Sequence, residues 1–112
     1  MTTEQLESTA HILKLLGDRT RLSIMGMLLI HDCCVCELVD VFQMTQPAVS
    51  QHLRKLKDAG LVKEQRKGQW VIYSLDQQNH FFPVIKDILG YVPNQNAKFR
   101  WLEDNGLRIS CD

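Results

Sequence analysis

The chain has 112 residues, 45% of them hydrophobic and 23% charged, and its 13 basic and 13 acidic side chains cancel to a formal net charge of zero. This excludes a disordered tail or a fibrous repeat, and indicates one folded domain near the size where dimerisation aids stability. No apolar run approaches the ~20 residues that span a bilayer and no leader-type segment opens the chain, so a cytoplasmic protein with no membrane partner is expected.

Leu6, Ile12, Leu13, Leu15 and Leu16 lie at helical spacing, and Gly17 is placed to end that first helix. Asp18 is a suitable N-cap for a second helix whose buried stripe is Leu22, Met25, Leu28 and Leu29. His31-Asp32 breaks the pattern, and Asp32 is read as the cap of a short third helix through Leu38, Val41 and Phe42. A fourth helix starts at Thr45 as N-cap with Pro47 in its first turn, buries Val49, Leu53 and Leu56, and stops at Gly60. The period then falls from 3.6 to 2, with Leu61–Arg66 and Gln69–Leu75 flanking a hairpin turn at Lys67-Gly68. A fifth helix over about 79–89 is too apolar to stand in water and calls for a partner surface. From Pro93 the chain turns polar. The expected division is a 1–92 domain followed by a 93–112 tail of undefined structure, with Trp101 as its candidate anchor.

The zero net charge hides a strong local bias. Between Thr45 and Lys67 there are six cations (Arg54, Lys55, Lys57, Lys63, Arg66 and Lys67) against two anions, whereas residues 1–40 carry six acids and three bases. Phosphates feel the local stripe, because charges beyond roughly 10 Å are screened at cellular salt. Two short helices, a tight turn and a β-hairpin read as a winged helix-turn-helix, whose second helix enters the major groove. The outward residues of the fourth helix suit that task. Gln46 and Gln51 match adenine edges, Arg54 matches guanine, and Ser50 reaches a base or a phosphate. Lys55 joins this set, His52 is read either as a phosphate contact or as an ordinary surface histidine, and Lys67 and Gln69 at the hairpin tip are expected over the neighbouring minor groove or backbone.

These segments resemble the ArsR/SmtB family of repressors. The resemblance is carried by Leu16-Gly17-Asp18-Arg19-Thr20-Arg21-Leu22, by Gln46-Pro47-Ala48-Val49-Ser50-Gln51-His52-Leu53, and by Ala59-Gly60-Leu61-Val62. Arg66-Lys67-Gly68 leading to Tyr73-Ser74-Leu75 completes it. It implies a mainly α fold of five helices and a two-stranded wing, a homodimer formed by the first and fifth helices, and operator repression relieved by a metal or metalloid. A two-fold dimer implies an inverted-repeat operator with half-sites ~34–36 Å apart on double-stranded DNA.

Cys33, Cys34 and Cys36 crowd the start of the third helix, and in a reducing compartment structural disulfides are not expected of them. Helix N-termini favour thiolates, and soft sulfur selects arsenite, antimonite, Cd(II), Pb(II), Zn(II) or Cu(I). On an ideal helix Cys34 and Cys36 point ~200° apart, so gripping one ion is expected to distort the helix terminus. The arsenic-responsive members of the family typically carry Cys-Val-Cys-Asp-Leu-Cys here. In this chain Cys34-Val35-Cys36-Glu37-Leu38 matches, but Val39 replaces the last cysteine, so Cys33 or Cys111 would supply the third sulfur of an As(III) or Sb(III) site. Cadmium and lead sensors add an N-terminal cysteine that residues 1–32 lack, and the zinc-type pair is not matched by the spacing of Asp76 and His80. A thiol redox sensor on the same fold is the main competing reading. No phosphate loop, nucleophile elbow or His-Glu-x-x-His string is present, so no enzyme is expected.

Overall fold

Short-range capping sets most of the helix boundaries. In the computed structural model, which describes residues 2–109, α1 (Thr3–Leu16) opens on a reciprocal box between Thr2 and Gln5 and closes at Gly17. Asp18 then accepts the Arg21 N–H at 2.9 Å and starts α2 (Arg19–Ile30), whose Ile24, Met25, Met27 and Leu28 are buried. Thr45 caps α4 (Gln46–Asp58) by accepting the Ala48 N–H, and Pro47 sits in its first turn. Val49, Leu53 and Leu56 are fully buried, as their spacing requires.

The end of α4 shows why Gly60 stands there. The Leu61 N–H reaches back to the Leu56 carbonyl and the Gly60 N–H to that of Lys57, a closure that holds Gly60 at φ +76°. A Cβ at this position would also lie 2.9 Å from Asn79 Nδ2, so both conformation and space select glycine. The wing follows as β2 (Val62–Lys67) and β3 (Trp70–Leu75), paired from Val62 opposite Leu75 to Lys67 opposite Trp70. Lys67 is thus the last strand residue, and the turn is Gly68-Gln69, one position later than expected. Gly68, at φ +60°, takes the positive-φ position that a two-residue hairpin demands.

Four features depart from the expected pattern. A short strand, β1 (Cys33–Cys34), pairs antiparallel with β3, Cys33 opposite Tyr73, giving a three-stranded sheet in the order β1-β3-β2. Two residues are too few to show an alternation. The helix α3 (Val35–Phe42) is preceded by Cys34 as N-cap, not Asp32, because Glu37 folds back to accept the Cys34 N–H at 2.9 Å. The fifth helix, α5 (Phe82–Leu89), begins three residues after Asn79, whose Oδ1 accepts the Phe81 N–H while its Nδ2 donates to the Gly60 carbonyl. The polar tail contains a sixth helix, α6 (Asn96–Asp104). Its Phe99 and Leu102 join the same buried cluster as Ile24, Leu38 and Leu53. Gln95 secures its approach, accepting from Ser23 Oγ at 2.7 Å and donating to the Pro93 carbonyl.

The arrangement is a winged helix-turn-helix, with α3 and α4 as the helix pair and β2–β3 as the wing. Among the described residues no helix is long and apolar enough to cross a membrane.

Candidate nucleic-acid interface and thiol site

Burial of Val49, Leu53 and Leu56 turns the opposite face of α4 to solvent. Gln46, Ser50, Gln51, Arg54 and Lys55 are all exposed there, as are Lys67 and Gln69 on the wing. These expected reading residues are thus open to solvent. An ion pair joins helix to wing, and a hydrogen bond inside the wing braces it. Lys57 on α4 pairs with Glu64 on β2, and Tyr73 on β3 donates to the other Glu64 oxygen at 2.6 Å. The Lys57 and Tyr73 hydrogen bonds hold the Glu64 carboxyl below its ordinary range, and burial with the Glu64 bond pushes Tyr73 up to about 12.

His52 differs from its neighbours. It is half-buried, and its Nδ1 lies 3.2 Å from Arg21 Nη1. A guanidinium only donates, so Nδ1 is the acceptor and the ring proton sits on Nε2. Arg21 also donates through Nε to the Leu15 carbonyl, tying the end of α1 and the start of α2 to the recognition helix. Desolvation, Arg21 and Lys55 together hold the His52 pKa below its ordinary value, against an opposing pull from Asp18. The neutral ring is favoured on folding. The stability tied to it is complete above pH ~6.5 and is lost as pH falls below that, toward the lowered folded value. The expected result is that wild type loses more stability than His52→Gln between pH 7.5 and 5.5, measured as urea midpoints. Equal losses would remove His52 from the account. Asp18 is lowered chiefly by its bond from the Arg21 N–H, so it bears on stability only below about pH 4.

The three clustered cysteines divide in two. Cys33, inside β1, is 0% exposed and lies in the core, its Sγ directed to the His31 carbonyl at 3.5 Å. Cys34 and Cys36 are joined as a disulfide. This corrects the expectation that these sulfurs diverge and stay unpaired. The ~200° offset assumed both residues on a helix, but Cys34 has extended geometry (φ −86°, ψ 157°) and only Cys36 is helical. Among the described residues no group of three or more His, Cys, Asp or Glu side chains is arranged to hold a metal ion. Cys111 lies outside the described residues.

Two neighbours of the thiol pair were not anticipated. Cys34 and Cys36 open on a cleft of about 290 Å³ whose other walls include Val39, Gln46, Gln69 and Trp70. The first residue of the recognition helix and the wing turn therefore border the same space as the sulfurs. Behind the pair lies Glu37, fully buried, with Oε1 on the Cys34 N–H and Oε2 paired with Arg108 and bonded to the Ile109 N–H at 3.1 Å. The Arg108 guanidinium lies 5.0 Å from the centre of the Phe99 ring. A glutamate three residues after Cys34, the spacing of a capping box, was the available signal for this junction. Its partner, 71 residues away, was not legible.

Residues 18–64 match the family model described as bacterial regulatory protein, arsR family. Over 103 residues the chain is 36% identical to the arsenic resistance transcriptional regulator ArsR1 of Pseudomonas putida, covering 88% of this chain and 75% of that protein. The chain belongs to the ArsR family. Its members are DNA-binding transcriptional regulators, not enzymes. The arsenical resistance operon repressor of Staphylococcus xylosus is 37% identical over 95 residues, covering 85% of this chain and 82% of that one. Among solved structures, reduced HlyU from Vibrio cholerae N16961 superposes with a TM-score of 0.70 at 28% identity, covering 81% of this chain and 95% of that one.

Proposed function

We propose that this ArsR-family repressor acts in the cytoplasm as a homodimer on an inverted-repeat operator, and leaves it when Cys34 and Cys36, as thiolates, bind arsenite, antimonite or another thiophilic ion. The observation that carries the reading is the shared cleft, since Gln46 and Gln69 stand on its wall beside the sulfurs. An occupant there meets the reading head directly, which supplies the different affinities of loaded and empty protein that a ligand switch requires. The names of the arsenical resistance relatives support the choice of ion. Cys34 and Cys36 border the cleft and Cys33 does not, which makes that pair the ligands in this reading, with Cys111 as a further candidate.

In the DNA complex, Gln46, Gln51 and Arg54 read bases in the major groove, Ser50, His52 and Lys55 contact the backbone, and Lys67 and Gln69 extend the footprint through the wing. Residues 1–92 carry DNA binding and dimerisation, and α6 beyond them completes the core of that domain with Phe99 and Leu102. Dimerisation through α1 and α5 accounts for the exposure of Leu6 (59%), Leu13 (57%), Val84 (49%) and, just beyond α5, Tyr91 (92%). The Cys34–Cys36 disulfide favours a second reading, a redox repressor. Two thiols would give up two electrons and two protons to a peroxide, forming the S–S bond and leaving two waters or an alcohol and water.

One experiment separates the two. Reduced protein bound to duplex DNA from upstream of its own gene is titrated with arsenite, antimonite, Cd(II), Zn(II) and peroxide. Arsenite and antimonite are expected to release the DNA, and release by peroxide alone would hand the function to redox sensing. In the same assay Arg54→Ala should weaken binding by about 1–3 kcal/mol on the specific site and less on unrelated DNA. Equal losses on both would make Arg54 a phosphate contact.

A further inference from the structure

We propose that His52 binds a DNA phosphate as a neutral donor, through its Nε2–H, and that Arg21 is the positioning residue that holds the ring in that tautomer. This rests on the reading of α4 as the helix that enters the major groove. An α-helix with its side chains is about 10–12 Å across and the groove is about 12 Å wide, so the flanks of a seated helix meet the sugar-phosphate walls. His52 stands on such a flank. At ~100° per residue it lies ~70° from the mean direction of the buried Val49, Leu53 and Leu56, whereas Gln51 lies ~170° from it.

The two ring nitrogens have different surroundings. Nδ1 faces Arg21 Nη1 at 3.2 Å, and a proton there would set two donors against each other. Nε2 has no partner among the described residues, yet no buried side-chain nitrogen or oxygen is left without one, so Nε2 opens to solvent. The ring proton therefore sits on the open nitrogen. The charged groups around the ring are Asp18 and Arg21 from the start of α2 and Lys55 from α4 itself. Two cations against one anion, together with partial burial, favour the neutral ring. Arg21 is itself tethered, its Nε to the Leu15 carbonyl at the end of α1 and its backbone N–H to Asp18. That tether keeps the guanidinium against the imidazole.

Two measurements test this, both at about pH 8, where a free imidazole is neutral. In a nitrogen-15 long-range correlation spectrum of the histidine-labelled parent protein, His52 should show a protonated Nε2 and a bare Nδ1. Arg21→Met should let the other tautomer appear. The second measurement is affinity for duplex DNA from upstream of its own gene, across a salt series. His52→Ala should weaken binding about tenfold, the lower end for a hydrogen bond to a charged group. The salt slope should stay unchanged, because a neutral donor releases no counterion. His52→Gln, whose amide carries an N–H close to the place of Nε2, should recover most of the loss. His52→Asn, which offers Arg21 an acceptor but is too short to reach outward, should not. Arg21→Met should weaken binding with the slope again unchanged, and the melting transition confirms that each variant is folded. A proton on Nδ1 in the parent, or an Asn variant that recovers as well as Gln, would overturn the proposal. So would a slope that drops by about 0.9, with His52→Ala by making the ring a cation and with Arg21→Met by making Arg21 the phosphate contact. If neither Arg54→Ala nor His52→Ala weakens binding, the reading of α4 itself fails. If Arg54→Ala weakens it and His52→Ala does not, the failure belongs to His52 alone.

Discussion

Arg108→Ala is expected to lower the unfolding free energy by about 3 kcal/mol, the lower end of the range for stranding one member of a buried ion pair. The partner left behind is Glu37, which is 0% exposed and sits among core side chains. Two backbone donors, the Cys34 and Ile109 N–H groups, still reach its carboxylate, which is why the loss stays near the lower bound. The Arg108 contact with Phe99 disappears as well, loosening the segment that follows α6 from that helix. The urea midpoint measures the sum, and a double-mutant cycle with Glu37→Leu isolates the pair. If Arg108→Ala unfolds at the wild-type midpoint, the carboxylate is satisfied without the arginine and the latch contributes no stability.

The second large effect concerns the sulfurs. Cys34→Ser and Cys36→Ser should each raise the arsenite concentration for half-release of DNA at least about 100-fold, or ~2.8 kcal/mol at ~1.4 per tenfold, because a single thiolate cannot chelate. Affinity for DNA in the absence of effector should hardly change, since neither sulfur belongs to the exposed face of α4. Cys33→Ala separates the roles. It removes a buried core atom, so stability should fall by roughly 1 kcal/mol while the effector response persists. A Cys33→Ala protein that melts normally but ignores arsenite would show that the core sulfur, not the cleft pair, binds the effector.

The features legible in the sequence were those decided within a few residues. Asp18, Thr45 and Pro47 announce helix starts because a cap bonds to a backbone N–H only two or three positions away. Gly60 announces a stop for the same reason, and the 3.6-residue spacing of Val49, Leu53 and Leu56 set which face of α4 would read DNA. Asp32 misled because a competing side chain, Glu37, reached the N-cap position first and moved the boundary by two residues. The sixth helix was hidden behind Asn94, Gln95 and Asn96, for its stability comes from burying Phe99 and Leu102 against distant elements.

Sequence alone therefore determined the winged helix-turn-helix, its outward polar face and the presence of a thiol cluster, each resting on short-range chemistry. Tertiary structure decided which sulfurs meet and what surrounds them. Pairing of Cys33-Cys34 with β3 turned one cysteine into the core and left the next beside Cys36, and no spacing rule for a helix anticipates a strand there. The same long-range packing brought Gln69 and Trp70 over the sulfurs and Arg108 onto Glu37, because contacts between residues dozens of positions apart form only when the whole core closes.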